Sequence, residues 1–524
     1  MTVTALHANA AVATDATDVG HAAHPARRGG APRDRLVRDG RLPQVIQGGM
    51  GVAVSGWRLA RAVALAGELG VVSGTAIDVV LARRLQDGDP GGHVRRALAA
   101  FPDPEIAAWI LDSYFVEGGI GPDERYRPVP RHTLSSAQRL VELTVAAGFV
   151  EVYLAKEGHD GRVGINLLRK IELPLPATVY GAILAGVDAV LVGAGSPAEI
   201  PALVRGLAAH EDVTLDVRVM GARSSDGLGA MTFSPRGMLG RAAAAVAASD
   251  LRAVLAVPAV LAIVASTDLA AGLAGDPRTR PDGFVVEGQI AGGHNAPPRG
   301  PRRTDELGQP VYDERDVVDL AAILELGLPV WLAGGCAGPE GLADALALGA
   351  AGVQIGTAFA FCDESGFEPG LKDRVRGRIL AGDLQVRSDW RVSPTGFPFR
   401  VADLPGTLSD DAVVSGRKPV CDLGVLRTAY RTESGDVDFR CPAEPTGAYL
   451  RKGGREANQA GRVCLCNALL ASAGMPQRRP GGTVEPVLVT SGADLGPVAT
   501  LLGAGGGRYA AADVVRYVRE AVPA

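Results

Sequence analysis

The stretch Val286 to Asn295 reads Val-Glu-Gly-Gln-Ile-Ala-Gly-Gly-His-Asn, and it is followed by Trp-Leu-Ala-Gly-Gly at 331–335 and Gln-Ile-Gly-Thr at 354–357. Each closes a short apolar run, so three glycine-bearing turns mark consecutive strand ends, one of them carrying a histidine. Working back along the chain, the same form recurs at 44–50, 70–74, 163–168, 189–195, 259–266 and 283–288, then at 329–335 and 352–357. Short apolar runs that end in glycine and alternate with amphipathic helical segments are the pattern of βα units on a parallel sheet.

The intervening helices are legible. Trp57 to Gly70 sets Leu59, Val63 and Ala66 on one face, and Pro339 to Gly349 does the same with Leu342 and Leu346. Periodicity alone also fits a doubly wound open sheet. The eight strand ends favour an α/β fold of the (β/α)8 TIM barrel type, with a large insertion after the second strand and a C-terminal extension. The expected division is a disordered leader over 1–40, a barrel over 41–365, and an extension over 366–524. Insertions are expected at about 76–160, with helices at Asp103 to Tyr114 and Ser135 to Phe149, and at about 221–251. The first insertion follows a strand end, where barrel loops build active sites, and is a candidate lid.

Composition narrows the function classes. The formal net charge of −5 is spread along the chain, with no basic, aromatic-interleaved patch of the kind that tracks nucleic acid. No apolar run reaches the roughly 18 residues of a membrane span, and the first forty residues have no apolar segment followed by a cleavage site. Six cysteines in 524 residues form no disulfide framework. A cytoplasmic enzyme is the expectation. Arginine greatly outnumbers lysine, and the lysines are Lys156, Lys170, Lys372, Lys418 and Lys452.

In (β/α)8 barrels a phosphate commonly sits on the loops after strands seven and eight, where glycines let backbone N–H groups approach the anion. Gly334-Gly335 and Gly356-Thr357 fall at those two places. Gly292-Gly293 precede His294 at the end of strand six, so a flat ligand can approach the backbone beside an imidazole able to act as acid, base or hydrogen-bond donor. His7, His21, His24, His93, His132, His159 and His210 read as surface or core residues. Gln47, Gly48, Gly49 and Met50 close strand one with a backbone edge and an adaptable thioether. Asn166 at the end of strand three offers a donor and an acceptor to a ligand, or caps a helix. Cys421, Cys441, Cys464 and Cys466 lack paired Cys-x-x-Cys spacing, and no metal is expected there.

At these residues the chain resembles the nitronate monooxygenase family, formerly 2-nitropropane dioxygenases, whose relatives include FMN-dependent enoyl-acyl-carrier-protein reductases. The resemblance runs discontinuously over 42–365 and is strongest at 44–50, 163–168 and 283–357. It implies a barrel that binds FMN through Asn166, Gly292, Gly335, Gln354, Ile355, Gly356 and Thr357. Gln47 to Met50, Glu287, Gly293 and Gly334 would lie nearby, and His294 would be catalytic. It further implies a small-molecule substrate and O2, or NAD(P)H and an acyl carrier protein in the reductase branch. Glu287-Gly288 stands where typical monooxygenases have Gln-Gly, as in the reductases. Ser-Pro-Thr-Gly-Phe-Pro-Phe at 393–399 resembles a segment of the reductases that act alongside polyketide and polyunsaturated fatty acid synthases.

Overall fold

The computed structural model describes residues 31–238 and 254–522. Eight parallel strands form its centre: β1 (Val45–Gln47), β2 (Gly70–Ser73), β3 (Val163–Leu168), β4 (Ala189–Gly193), β5 (Ala259–Val264), β6 (Gly283–Glu287), β7 (Val330–Ala333) and β8 (Gly352–Ile355). Their order is β1-β8-β7-β6-β5-β4-β3-β2. The circle closes between β1 and β2, where the Gln47 amide donates to the Leu69 carbonyl at 2.9 Å and the Leu69 amide to Val45 at 3.1 Å. All eight expected strand ends are barrel strands, because each is a short apolar run stopped by a residue that can turn.

The barrel interior is a packed layer of Ile46, Leu69, Val71, Leu191, Leu261, Val285 and Trp331, all fully buried. Its floor is the turn Pro32–Leu36, whose Leu36 is fully buried in the same cluster. Arg35 and Arg38 of this segment, with Lys156, converge on buried Asp188 just before β4. The leader expected over 1–40 is therefore ordered from Ala31 onward: a leucine at the right spacing plugs the barrel and an ion-pair cluster holds it. Residues 1–30 lie outside the described residues.

The interval between β2 and β3 holds helices Ile77–Gln86, His93–Ala99, Pro104–Tyr114 and Gln138–Lys156. Asp103 caps the third by accepting from the amides of Glu105 and Ile106. Gln138–Lys156 packs on the helix Leu175–Leu184 so closely that a Cβ on Gly148 or Gly181 would meet the other helix's backbone, and it serves as the barrel's ordinary crossover helix. The smaller insertion, about 221–251, contributes the hairpin strand Ala230–Phe233 against Val213–Asp216; residues 239–253 lie outside the described residues.

The C-terminal extension is not simply appended. Its last helices, Gly496–Ala504 and Ala511–Arg519, bury Val498, Leu501, Leu502, Val514, Val515 and Val518 in one cluster with Leu59, Val63, Leu342 and Ala345. Leu59 and Val63 belong to the helix after β1, and Leu342 and Ala345 to the helix after β7. The end of the chain thus fills the eighth helical position of the barrel. Residues 366–495 form a long excursion between strand eight and its helix. Within it Phe399–Ala402 pairs with Val386–Asp389, and Thr428–Arg431 pairs with both Val437–Arg440 and Val219–Met220. Among the described residues no helix is long and apolar enough to cross a membrane.

Candidate functional site

The C-terminal ends of the strands open into a cavity of about 500 Å³, within the ~300–1,000 Å³ range of small-molecule sites. Gly48, Gly49 and Met50 after β1, Asn166 in β3, Glu287, Gly292, Gly293 and His294 at the end of β6, Gly334 and Gly335 after β7, and Gln354, Ile355, Gly356 and Thr357 at β8 all line it. Gln47 is the one expected site residue placed elsewhere. It is fully buried, and its carboxamide accepts from the Val71 amide at 2.9 Å and donates to Ser55 Oγ at 2.8 Å. It clamps β1 to β2 beneath the site, one residue before Gly48 of the lining.

The glycines leave room of a particular shape. Gly334 and Gly335 have φ of +93° and +78°, a region that costs a side-chain-bearing residue about 1–2 kcal/mol, and a Cβ on Gly335 would stand 2.7 Å from Ile290 Cδ1. Across the cavity a Cβ on Gly49 would sit 2.1 Å from Asn166 Cβ. On the same lining, the Gln354 carboxamide oxygen is buried without a hydrogen-bond partner among the described residues. An orphan acceptor of this kind costs about 1–3 kcal/mol unless a ligand N–H reaches it.

His294 is held from both sides. Its backbone forms an antiparallel bridge with Phe399, its ring packs edge-on against the Phe399 ring at 4.8 Å, and its Nε2 shares a hydrogen bond of 2.7 Å with Ser393 Oγ. The Ser393 hydroxyl continues to Thr395 Oγ1 at 2.8 Å. Burial, and secondarily the nearby charge of Lys170, pushes the imidazole well below its ordinary pKa of 6.5. The ring is therefore neutral at neutral pH. It can accept a proton or share a hydrogen bond, but it brings no resident positive charge.

Glu287 and Lys170 complete the electrostatics. Burial raises the Glu287 carboxyl to about 7, opposed by the charge of Lys170, and burial lowers the Lys170 ammonium to about 7, opposed by Glu287. The Tyr312 hydroxyl, also on the lining, is pushed up to about 12, mainly by burial.

The excursion after strand eight supplies one whole wall: Phe397, Phe399, Leu426, Cys466, Thr490 and Gly492 all face the cavity. It is stitched to the strand-six loop by backbone. The Arg400 amide donates to Gly293, the Asn295 amide to Pro398, and the Ala493 amide to Ile290. Thr490 Oγ1 accepts from the Gly293 amide at 3.0 Å and Thr357 Oγ1 from the Gly492 amide at 2.8 Å. Between β2 and β3, by contrast, the lining takes only Thr75 and Ala76 among the described residues. The covering expected from the first insertion is thus made by the C-terminal excursion, because the insertion's helices turn outward to pack on the barrel's flank.

Sequence reasoning missed that wall and Lys170. Residues 393–399 carried a signal, a resemblance to reductases, but nothing placed them over His294. Lys170 carried one as well: it is a rare lysine just past a strand end. The four cysteines of the excursion are free thiols in one apolar cluster, and among the described residues no group of three or more ligating side chains is arranged for a metal. Hydrogen bonding from Cys466 brings the Cys464 thiol down to about 7.

Residues 220–383 match the nitronate monooxygenase family model. A nitronate monooxygenase of Pseudomonas aeruginosa is 32% identical over 181 residues, covering 33% of this chain and 47% of that protein. A (3aS,4S,5R,7aS)-5-hydroxy-7a-methyl-1-oxo-octahydro-1H-indene-4-carboxyl-CoA dehydrogenase of Rhodococcus jostii is 37% identical over 137 residues, covering 26% of this chain and 33% of that one. The chain thus spans less than half the length of these curated relatives. Among solved structures, FabK from Thermotoga maritima is 17% identical with a TM-score of 0.42 over 91% of each chain. The enoyl reductase domain of MlnA from Bacillus amyloliquefaciens is 10% identical with a TM-score of 0.45, over 93% of this chain and 95% of that one. The barrel itself stands on the strand order and closure described above. The segment that carries β5 to β8 and His294 is thus similar to the nitronate monooxygenase family.

Proposed function

We propose that this protein is an FMN-dependent oxidoreductase that oxidises alkyl nitronates with O2 to carbonyl compounds and nitrite. The carrying observation is a cavity whose glycine-built floor after β7 and β8 and orphan Gln354 acceptor face a buried, neutral histidine. Gly334, Gly335, Gly356 and Thr357 would hold the phosphate. Gln354 would take an N–H of the ring, and Gly49, Met50 and Asn166 would pack against it. FMN supplies the electron transfer, and the protein positions it.

In this reading His294 takes a proton from a neutral nitroalkane, or shares a hydrogen bond with the nitro group of a nitronate already formed. Ser393 orients the ring. The wall from Phe397 to Phe399 excludes water and keeps the imidazole neutral, which suits it to accept rather than to donate.

Reduction of an activated C=C by NAD(P)H is the second reading. Favouring it are Glu287-Gly288, the 393–399 segment that forms the wall over His294, and the local likeness to a CoA-thioester dehydrogenase. An acyl carrier protein would then be the partner. Anaerobic flavin absorbance separates the two: the first reading expects a nitronate alone to reduce the bound flavin, and reduction by NADPH or NADH only would replace it with the second.

A further inference from the structure

We propose that Lys170 is the cationic anchor for a substrate oxygen that carries or develops negative charge in this cavity. The inference rests on the FMN oxidoreductase reading and adds to it the residue that recognises the substrate's charge.

Lys170 follows β3, between Leu168 and Ile171, which line the cavity; Lys170 itself is set behind that lining, against Phe397. Its Nζ is buried and has no hydrogen-bond partner among the described residues. Its one close neighbour of note is the Phe397 ring, 4.7 Å away at the centroid. An aromatic face attracts an ammonium but accepts none of its hydrogen bonds in the ordinary sense. Three N–H donors are therefore left without oxygen acceptors in a desolvated place, an arrangement worth several kcal/mol of penalty if nothing fills it.

The nearest opposite charge does not fill it. Glu287 feels Lys170 electrostatically, yet among the described residues the two form no ion pair within 4.0 Å. A buried lysine and a buried glutamate would ordinarily close on one another, since that is how each recovers lost hydration. Here they stay apart, and Glu287, Phe397 and His294 all line the cavity. His294 cannot supply the charge, because the same surroundings keep its ring neutral. An oxygen of a nitronate, or the thioester oxygen that gains charge when an enoyl group accepts hydride, is what the ammonium lacks.

The groups facing Lys170 are Glu287 from β6, His294 from the loop after it and Phe397 from the excursion, with Tyr312 beyond Glu287. With the ammonium poised at about 7, anion binding is linked to proton uptake by Lys170.

The test uses the FMN-loaded full-length protein with nitrate and propionate, small oxyanions that are not turned over, and propionamide as a neutral control. Binding is read from the flavin absorbance. Lys170→Met is expected to keep its FMN and to bind both anions about 10- to 100-fold more weakly, as for the loss of a charged hydrogen bond, while propionamide binding is unchanged. Wild-type affinity for the anions should fall about tenfold per pH unit above ~7, and Lys170→Met should lose most of that dependence, keeping only the part that comes from Glu287 ionising over the same range. Equal anion binding by both proteins, or loss of FMN from Lys170→Met, overturns the inference; in the latter case the lysine serves the cofactor. A wild-type protein that takes up no FMN would instead overturn the oxidoreductase reading.

Discussion

Replacing Gly49 by alanine tests the geometry of the site where it is tightest. The backbone there needs no left-handed conformation, so alanine is locally acceptable, and only the space is wrong. The new Cβ would fall 2.1 Å from Asn166 Cβ, 2.9 Å from its Cγ and 3.2 Å from Val71 Cγ1. Asn166 Cβ is the near end of its side chain, and rotation cannot move it. β3 is itself fixed on both sides, with Asn166 in register with Ser73 and with Leu191. The strand end after β1 must therefore move outward by roughly an ångström or more to reach ordinary contact distances. Such overpacking costs about 1–3 kcal/mol, and losing the bond from Asn166 Nδ2 to the Gly49 carbonyl adds about 0.5–1.5 kcal/mol. With an unfolding entropy of about 2 cal/mol/K per residue, a chain of 524 residues loses roughly 1–4 °C in Tm. Gly49 and Asn166 both line the cavity, so FMN retention should fall more sharply than Tm. Gly272→Ala is the matched control: it sits inside helix Thr267–Gly275 with nothing within 4 Å of the added Cβ, and it should gain about 0.5–1 kcal/mol from helix propensity. Differential scanning calorimetry and flavin absorbance of the purified proteins measure both effects. Gly49→Ala with wild-type Tm and a full complement of flavin would refute the packing at β1 and β3 on which the site is built.

Three further outcomes follow from the same structure. Gly335→Asp places a side chain at φ +78° and against Ile290, and adds a negative charge at the proposed phosphate site; the variant should purify without FMN, and one that keeps it would displace the phosphate from this loop. His294→Ala should keep FMN and lose about 10² to 10⁴ in turnover. Because burial holds the ring neutral, the wild-type rate profile should show no inflection from it at its ordinary value near 6.5, and a histidine NMR titration near that value would contradict the burial. Glu287 makes stability depend on pH with a definite sign. Its folded pKa of about 7 lies above the ordinary 4.5, so the folded state keeps a proton that the unfolded chain has given up. Its contribution is fully present below ~4.5 and is lost as pH rises through about 7. Chemical denaturation of the FMN-free protein at pH 5 and pH 7 should show wild type losing ground to Glu287→Gln over that interval, and a constant difference would place the carboxyl in water.

What the sequence made legible, and what it hid, follows from the range of the interactions. The strands are local objects: apolar runs such as Ala-Val-Leu-Val in β4 or Gly-Phe-Val-Val in β6 are buried on both faces and end at a residue that turns, so the composition within a few residues decides them. The glycine turns and His294 were readable for the same reason. The wall over His294 is not local. It depends on the Arg400 amide finding Gly293 and on the Gly492 amide finding Thr357, pairings that cross long stretches of chain and involve backbone groups common to every residue. The return of Ala511–Arg519 to the barrel was hidden in a similar way. Its strongly amphipathic face shows that it packs on something, but only the gap between the helices at Trp57–Leu65 and Pro339–Ala347 says on what. These two non-local facts have one consequence for function. Because the excursion lies between strand eight and the helix that completes the barrel, its two ends are anchored by the barrel core, and the wall cannot swing away as a free lid without disturbing both. The part of the cavity at Glu287 and His294 is then bounded by Phe397 and Phe399 and not by the helices of the large insertion after β2.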